Sequence, residues 1–546
     1  MVGIFIFGVS PAVFADDASD QAAQLVSQAE SFRKEAKKEA PPTEEKPEIE
    51  VEKEKEAAPE EAGPSFQVKK INLEENSLFL KELREMVSPL EGKTITFGAL
   101  RQAAQKITGL YRSRGYLTSR AYIPPQRLED GIVTIKIIEG NVGRIHVEGN
   151  KFFKSALYEE AIRLRKDRVF RYEDLESSLY FLNLKPDRKA KAYLISGEEP
   201  ATSDIILKAT DSNPFHLSYE FNNHGTKFTH RARHLVFMEH NNISGNGDTF
   251  LSSVSMAEEG AFDAVAGSYS LPFERTGTTL SMDASLVESM LVRHLKSAEI
   301  KGEYKSLSFG VTQNFMKRPS FVLDGVMGFD IKDSKTLVDD FKTSYDRMRV
   351  LKAGPRLAFQ DKGGRTSLSF FVHQGLPDFM GGSGENDPNA SRENAGGDFT
   401  SYTASVTRIQ RLPNQWYLIL RGNGQWTRDT LTSVEQFRLG GAYSVRGYTE
   451  AEASGDYGYN GSAELSVPLW SKALRFVGFV DVGKTYLRER PLNATVKDKF
   501  LLGTGFGVRV NLDRTLSLQA DLGWPIGDDS TDENQMQVHI AVRGGF

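Results

Sequence analysis

The C-terminal part of the chain, from Pro214 onward, alternates apolar and polar residues with period two in one segment after another. The apolar positions include Leu217, Tyr219 and Phe221; Leu280, Met282, Ala284 and Leu286; and Leu516, Leu518, Ala520, Leu522 and Trp524. Period-two alternation gives a β-strand one apolar face and one polar face. A soluble sandwich shows such strands too, but it does not need about 330 residues of them. Membrane strands of about ten residues would fill that length with about 16 strands, which predicts a transmembrane antiparallel β-barrel over residues 212–546.

The last eleven residues, from Met536 to the end, show the strictest alternation. One face carries Val538, Ile540, Val542 and the terminal Phe546. An edge strand of a soluble sandwich is the alternative, but an exposed apolar edge invites aggregation. A strand that closes a membrane barrel has one face in lipid and the other in a wet lumen, so we interpret this segment as the C-terminal strand signal of a barrel.

The apolar run near the start of the chain is too short to cross a bilayer as a helix, which needs about 20 residues. Its small residues before Asp16 fit a secretory signal over residues 1–15. No other stretch is long enough for a transmembrane helix, so a membrane protein of this sequence must be a closed barrel. The absence of cysteine excludes disulfides and thiolate metal sites, and the net charge of -5 does not indicate nucleic-acid binding.

Residues 16–39 predict an amphipathic helix, since Leu25, Ala29, Phe32 and Ala36 recur at helical spacing on an otherwise polar segment. Residues 40–64 are charged and proline-rich without a periodic apolar face, which is typical of an extended, solvated linker. A helix on such a tether could dock and leave again. A disordered tail with residual helicity is the alternative.

Between the linker and the barrel we expect two consecutive α+β units, over residues 65–141 and 142–211. The residue pattern of each unit predicts a strand, two helices and two further strands in that order. The same order in both units makes an internal repeat. In the first unit the strands are expected at about Phe66–Leu73, Leu117–Ile123 and Ile132–Glu139, with Gly115 ending the second helix. Neither unit holds a cluster of catalytic groups. Small mixed units of this kind bind chains, and an exposed strand edge can take up an extended peptide.

A long loop in the second half of the predicted barrel has at its centre Val445, Arg446, Gly447 and Tyr448. A positive charge in a long loop is ordinary on a protein surface. Here, however, the next strands place Asp481 on the lumen face, with Phe479 two residues before it and Gly483 two residues after it. A charge-assisted, bidentate pair in a shielded lumen would hold such a loop in one position. We therefore expect the loop to fold back into the barrel and Arg446 to pair with Asp481.

The strand after Asp481 has an inward face almost without side chains. Its inward positions are Gly503, Gly505, Gly507 and Arg509. A row of glycines leaves a groove that admits a closely approaching backbone. We expect Tyr448 of the loop to lie against this glycine track.

Residues Gly478–Thr485 satisfy the phosphate-binding pattern G-x-x-x-x-G-K-[ST]. A phosphate-binding loop needs a flexible turn followed at once by a helix. This stretch alternates like a strand, and no amphipathic helix follows it. We interpret Lys484 and Thr485 as the start of the turn that ends the strand, and we expect no cofactor, metal or catalytic site.

The loop motif, the Phe479-x-Asp481-x-Gly483 strand and the terminal aromatic strand resemble the Omp85 superfamily. Residues 107–126 (ITGLYRSRGYLTSRAYIPPQ) are similar to the first POTRA domain of two-partner secretion transporters, the TpsB proteins of the ShlB/FhaC/HecB type. The resemblance covers nearly the whole chain. It implies a 16-stranded outer-membrane barrel that exports one large β-helical exoprotein, a cytolysin or an adhesin, without enzymatic activity.

The same resemblance implies roles for the other segments. Residues 16–39 would plug the pore, and the motif loop would lie inside the barrel with Asp481 as its partner on the wall. The two POTRA units, in the periplasm, would bind the exoprotein unfolded. Further partners implied are outer-membrane lipid and the general barrel assembly machinery, but not nucleic acid. The alternatives are an Omp85-type factor that inserts barrel proteins, a surface hydrolase or NTPase, and a passive porin.

Overall fold

The computed structural model describes residues 47–51, 64–75, 77–127, 130–164, 168–292, 299–489, 498–512, 516–532 and 535–545. The expected signal (1–15), plug helix (16–39), most of the linker and Phe546 lie outside them. The described residues form two compact units that divide between Asn213 and Pro214. In this part of the chain no helix is both long and apolar enough to span a membrane.

The first half of the N-terminal unit packs two helices against short strands. Its elements are β2 (Ser65–Val68), β3 (Lys70–Glu74), α1 (Leu80–Val87), β4 (Lys93–Thr96), α2 (Phe97–Ser113), β5 (Arg120–Tyr122) and β6 (Ile132–Ile138). The single strand expected at Phe66–Leu73 is in fact two, because β2 pairs with β4 whereas β3 pairs with β6. Gly115 follows α2 with a left-handed φ of 88°, as predicted for a helix stop.

The apolar core of this half lies between the sheet and the helices. Ile71 and Ile135 of the sheet pack with Leu83 of α1 and Ile107 of α2, and all four are fully buried. Thr96 caps the start of α2, since its hydroxyl accepts a hydrogen bond from the Ala99 amide at 3.2 Å. Periodicity and cap chemistry together account for the position of the helix.

Glu139, at the end of this half, ties the segment before α1 to α2. Its carboxylate accepts hydrogen bonds from the amides of Ser77 and Leu78 at 2.9 Å and from the Tyr111 hydroxyl at 2.7 Å. Burial alone would raise the pKa of Glu139, but the hydrogen bonds from Ser77, Tyr111 and Leu78 outweigh it and hold the pKa below its usual value.

We expect Glu139→Gln to lower the stability of this half at neutral pH, because the buried Tyr111 hydroxyl and two amides lose a charged acceptor. A carboxyl group whose pKa is lower in the folded protein than in the unfolded chain stabilises the fold at pH values above the unfolded pKa. This stabilisation is lost as the pH falls through the folded pKa. Hydrogen exchange of α2 in the full-length protein should therefore differ between parent and variant at pH 7 and converge in acid. An equal difference at both pH values would contradict this assignment.

The second half of the N-terminal unit has one larger sheet. Its elements are β7 (Asn141–Glu148), α3 (Ser155–Ala161), α4 (Tyr172–Asn183), β8 (Arg188–Ser196) and β9 (Thr202–Asp211). Leu175 and Leu179 of α4 pack on Ala192, Ile205 and Leu207 of the sheet, and all are buried. The order strand, helix, helix, strand, strand is the one that the repeat predicted.

A short strand from the charged linker completes this sheet. β1 (Ile49–Val51) pairs in parallel with β8, and the resulting order is β1–β8–β9–β7. The Ala192 amide donates to the Glu48 carbonyl at 3.1 Å, and Lys191 forms an ion pair with Glu48. Composition predicted a solvated, extended linker, but at Ile49–Val51 the linker is paired with β8. The edge of β8 therefore accepts an extended chain.

The C-terminal unit is a closed antiparallel barrel of sixteen strands, β10–β20 and β23–β27, which confirms the predicted fold class. The strands are β10 (Phe215–Asn222), β11 (Arg233–His240), β12 (Thr249–Met256), β13 (Phe262–Phe273), β14 (Thr278–Met290), β15 (Ile300–Arg318), β16 (Phe321–Val338), β17 (Phe341–Asp361), β18 (Gly364–Gly375), β19 (Thr400–Arg411), β20 (Tyr417–Thr427), β23 (Tyr457–Pro468), β24 (Leu474–Tyr486), β25 (Lys499–Leu512), β26 (Leu516–Pro525) and β27 (Gln537–Gly545). β21 (Phe437–Leu439) and β22 (Ala453–Gly455) form a separate hairpin in the loop between β20 and β23.

The two faces of the barrel wall follow the period-two pattern. On β14, Met282 and Leu286 are exposed outward by 45% and 56%, whereas Ser285 between them is buried. On β27, Val538 is exposed and His539 is buried. Because neighbouring side chains of a strand point to opposite faces, the outer surface is apolar and the lumen is polar, as a membrane barrel requires.

β27 closes the barrel against β10. Their register runs from Ser218 opposite Gly545 to Asn222 opposite Ala541. Asn223 extends the seam, since its side chain accepts from the Ile540 amide and donates to the Val538 carbonyl, both at 2.7 Å. The C-terminal strand signal, with Val538, Ile540 and Val542 on the outer face, thus lies at the closure.

Candidate functional site: the loop inside the barrel

The loop between β20 and β23, residues 428–456, turns back into the barrel. Its tip carries Val445, Arg446 and Tyr448, all 4% exposed or less. The tip contacts lumen-facing residues of β23 to β26. The loop therefore occupies the lumen, and its tip defines the candidate site.

Arg446 and Asp481 form the centre of this site. The guanidinium of Arg446 donates from Nε to Asp481 Oδ2 at 2.8 Å and from Nη2 to Oδ1 at 3.0 Å. The backbone amide of Arg446 also donates to Asp481 Oδ2, at 3.1 Å. The ring of Phe479 lies under the guanidinium, with its centroid 3.5 Å from the Arg446 Cζ. The arrangement combines a bidentate ion pair with a cation–π contact, so it specifies arginine rather than lysine.

Two further carboxylates approach the same guanidinium. Arg446 Nη1 donates to Glu464 Oε2 at 2.8 Å and lies 3.7 Å from Asp521 Oδ2. Arg509 is the second cation, paired through two hydrogen bonds with Asp521 and lying 3.7 Å from Glu464. The site is thus a buried network of charges around one loop residue.

Glu464 and Asp521 were missed by reasoning from the sequence. Both alternate onto the lumen face of their strands, Glu464 between Ser462 and Ser466, and Asp521 between Gln519 and Gly523. That inward position was the available signal. In the structure Glu464 lies opposite Phe479 across the strand pair, and Asp521 lies opposite Gly507.

The charge of Arg446 is secured by this network. Burial in itself would lower the pKa of Arg446, but the hydrogen bonds and charge of Asp481, with the charges of Glu464 and Asp521, outweigh it and raise the pKa above its ordinary value. A buried arginine that stays charged is costly unless paired. The loop tip is therefore stable in the lumen only when its carboxylate partners surround it.

The glycine track receives the loop backbone and the groups of the network. A Cβ at Gly503 would lie 1.8 Å from the Arg446 carbonyl oxygen, whereas one at Gly505 would lie 2.0 Å from the Leu522 carbonyl oxygen of β26 and 2.7 Å from the Phe479 ring. At Gly507 it would lie 1.9 Å from Asp521 Oδ1. The loop therefore excludes a side chain at Gly503, whereas the backbone of β26 and the partners of the loop exclude one at Gly505 and Gly507.

Tyr448 packs at the end of the glycine track, on Leu501 of β25. It packs in a buried apolar cluster with Leu439, Val445 and Leu501, and its hydroxyl accepts a hydrogen bond from the Gly527 amide at 3.0 Å. The tyrosine therefore anchors the loop at the end of the track. The loop residue that approaches Gly503 is Arg446, through its carbonyl oxygen. Gly447, whose left-handed φ of 102° turns the chain after Arg446, lies against Gly523 and Trp524 of β26.

Gly483 and the phosphate-binding pattern have a structural explanation. A Cβ at Gly483 would lie 2.8 Å from Leu439 Cδ1 of the loop hairpin. β24 continues through Lys484 and Thr485 to Tyr486, so the turn begins later than expected. The pattern lies within a strand and cannot cradle a phosphate. In the described part of the chain, no group of three or more His, Cys, Asp or Glu side chains is arranged to hold a metal ion.

Comparison with known proteins identifies relatives over most of the chain. Residues 66–140 match the ShlB-type POTRA domain. The heme/hemopexin transporter protein HuxB of Haemophilus influenzae is 24% identical over 498 residues, covering 87% of this chain and 86% of that protein. The outer membrane transporter CdiB of Dickeya dadantii is 23% identical over 439 residues, covering 78% and 76%.

Solved structures share the fold. CdiB from Escherichia coli superposes with a TM-score of 0.75 at 21% identity, over 99% of this chain and 100% of that chain. BamA from Haemophilus ducreyi, lacking POTRA domains 1–3, gives a TM-score of 0.52 at 13% identity, over 88% and 100%. Residues 201–510, more than half of the chain, match the haemolysin secretion/activation proteins ShlB/FhaC/HecB. The chain therefore belongs to the ShlB/FhaC/HecB family of haemolysin secretion/activation proteins.

Proposed function

We propose that this chain is the outer-membrane translocation pore of a two-partner secretion system and exports one large β-helical exoprotein. The observation that carries this proposal is the ShlB-type POTRA domain at residues 66–140, because it separates a secretion transporter from a factor that inserts barrel proteins. The similarity to HuxB and CdiB, which are named as transporters, supports it. The barrel lies in the outer membrane and the POTRA domain in the periplasm.

Export in this proposal needs no enzymatic step. The buried groups around Arg446 are paired with one another, as expected of a network that holds a loop rather than transforms a substrate. Folding of the emerging exoprotein outside the cell would bias its movement through the pore. Outer-membrane lipid surrounds the apolar barrel wall, and the general barrel assembly machinery would insert it.

The N-terminal unit would bind the exoprotein in unfolded form through its sheet edges. We assign residues 65–141 and 142–211 to two POTRA domains, residues 40–64 to the linker, residues 16–39 to a plug helix and residues 1–15 to a signal peptide. Pairing of Ile49–Val51 with the edge of β8 supports the binding mode, because a second extended segment could add to a sheet in the same way.

Deleting the gene for this chain should remove one large protein from the culture medium and leave other outer-membrane barrels at parental levels. The reason is that a dedicated exporter serves one passenger, whereas an assembly factor serves many. Quantitative proteomics of medium and outer membrane in deletion and parent strains measures both. A broad fall in barrel proteins would favour the assembly factor instead. A variant lacking residues 17–39 tests the plug. If these residues close the empty pore, the single-channel conductance of the variant should be higher than that of the parent.

A further inference from the structure

Asp456, the last residue of the loop inside the barrel, is a fully buried carboxylate outside the charge network at the Arg446 tip. Its oxygens accept hydrogen bonds from the Leu431 amide at 2.9 Å and the Arg488 amide at 2.7 Å. They also form a bidentate ion pair with the guanidinium of Arg392. Asp456 thus joins both ends of its own loop to residues of two other loops.

Arg392 belongs to the loop between β18 and β19, residues 376–399. Besides Asp456, it donates from Nη1 to the Leu431 carbonyl at 2.7 Å. The neighbouring Ser391 donates its amide to Asp346 of β17 at 2.8 Å, and its hydroxyl accepts from the Ser433 amide at 2.9 Å. The loop therefore links the barrel wall to the entry of the loop that carries Arg446.

The third loop starts after β24. Arg488 bonds through its guanidinium to the Thr427 carbonyl at 2.6 Å, where the Arg446 loop leaves β20. Glu489 accepts a hydrogen bond from Asn394 of the 376–399 loop at 2.7 Å. All three loops lie at the barrel end opposite to the one at which β10 begins, because β18, β20 and β24 are the ninth, eleventh and thirteenth strands of an antiparallel barrel and an odd number of strands leads to the opposite end.

We propose that Asp456 and Arg392 are the positioning residues of a latch that joins the three loops at the outward end of the barrel and keeps the Arg446 loop seated in the lumen. The inference rests on the proposed function, since it is the exoprotein that must pass this end. For the lumen loop to leave, Asp456 must separate from Arg392 or carry the 376–399 loop with it. While the pair between Asp456 and Arg392 is intact, the loop that carries the Arg446 motif therefore cannot move independently of the 376–399 loop.

Thiol labelling tests the latch without any passenger. Because the chain contains no cysteine, Ser433→Cys introduces one thiol at a position that is 3% exposed beside the latch. In this background, Asp456→Asn and Arg392→Gln should each raise the rate of labelling by an impermeant maleimide on intact cells by about tenfold or more, since opening becomes more frequent. Arg392→Lys, which keeps the charge but not the bidentate geometry, should fall between them and the parent.

Asp361→Asn is the matched control. Asp361 also pairs in bidentate fashion with an arginine, Arg408, and also accepts from two amides, those of Gly363 and Gly364. It lies at the opposite barrel end, so its loss should leave the labelling rate unchanged. Labelling within twofold of the parent in both latch variants, at equal outer-membrane levels, would overturn the proposal, as would an equal rise in the control.

A crosslink tests whether the latch must open. Asn394→Cys combined with Glu489→Cys places two thiols where the side chains now touch, and a reducible crosslinker joins the two loops. We expect export to stop in the crosslinked protein and to return on reduction. Normal export by the crosslinked protein would refute the latch while leaving the proposed function intact. If the uncrosslinked parent exports nothing, the proposed function itself is wrong.

Discussion

Arg446→Ala should still insert into the outer membrane but should lose most of its export activity. The substitution removes the cation from Asp481, Glu464 and Asp521, and Asp481 is fully buried. Leaving a buried charge without its partner costs about 3 kcal/mol or more. Since 1.4 kcal/mol is a factor of ten, the population with the loop seated should fall by roughly a hundredfold. Secretion of the passenger, normalised to the amount of barrel in the outer membrane, measures the effect.

The partners of Arg446 define the controls for that result. Asp481→Asn should share the export defect, and the double variant Arg446→Ala with Asp481→Asn should lose little more, because the two residues act as one unit. Glu464→Gln should be milder, since it removes one carboxylate charge beside Arg446 and keeps the bidentate pair with Asp481. Wild-type export by Arg446→Ala, or fully additive effects of the pair, would exclude the role of this contact.

Gly503→Ala should unseat the same loop by steric means alone. The new methyl group would lie 1.8 Å from the Arg446 carbonyl oxygen, a separation that real atoms do not adopt. The atom that this methyl group would displace belongs to the backbone of Arg446. The loop tip itself must therefore move, since no flexible side chain can give way. Overpacking of this kind costs about 1–3 kcal/mol. We expect reduced export and faster proteolysis of the 428–456 loop on intact cells.

Gly478→Ala provides the comparison on the neighbouring strand. A Cβ at Gly478 meets nothing within 4 Å, and the residue lies on the outer face of β24. Both substitutions add one methyl group to a glycine of the barrel wall, so a general effect on strand formation would appear in both. If Gly503→Ala and Gly478→Ala have the same effect on export and proteolysis, the seated loop is not the reason that Gly503 must be a glycine.

Much of the fold and part of the site could be predicted from residue patterns. Alternation from Pro214 onward assigned outward residues such as Met282 and Val538 and inward residues such as Asp481, because side chains of a strand point to opposite faces by geometry. The pairing of Arg446 with Asp481 could also be anticipated, since a buried carboxylate in a barrel lumen needs a cation and the loop tip supplies one. The helix stop at Gly115 followed from backbone conformation.

Other features depended on which segments meet in three dimensions. Glu464 and Asp521 converge on Arg446 through the register of β23 to β26, and Tyr448, after the turn at Gly447, packs with Leu501. The contact of Arg392 with Asp456 joins residues 64 positions apart through two irregular loops.

The sequence by itself determined the class of fold, the face on which each strand residue lies, and the ion pair at the loop tip. These follow from local periodicity and from the need of a buried charge for a partner. Only the tertiary structure decided the wider charge network, the seat of Tyr448, the pairing of Ile49–Val51 with β8, and the convergence of three loops on Asp456. Loop paths and strand register are set by the sum of many contacts distant in sequence, and no local pattern encodes that sum.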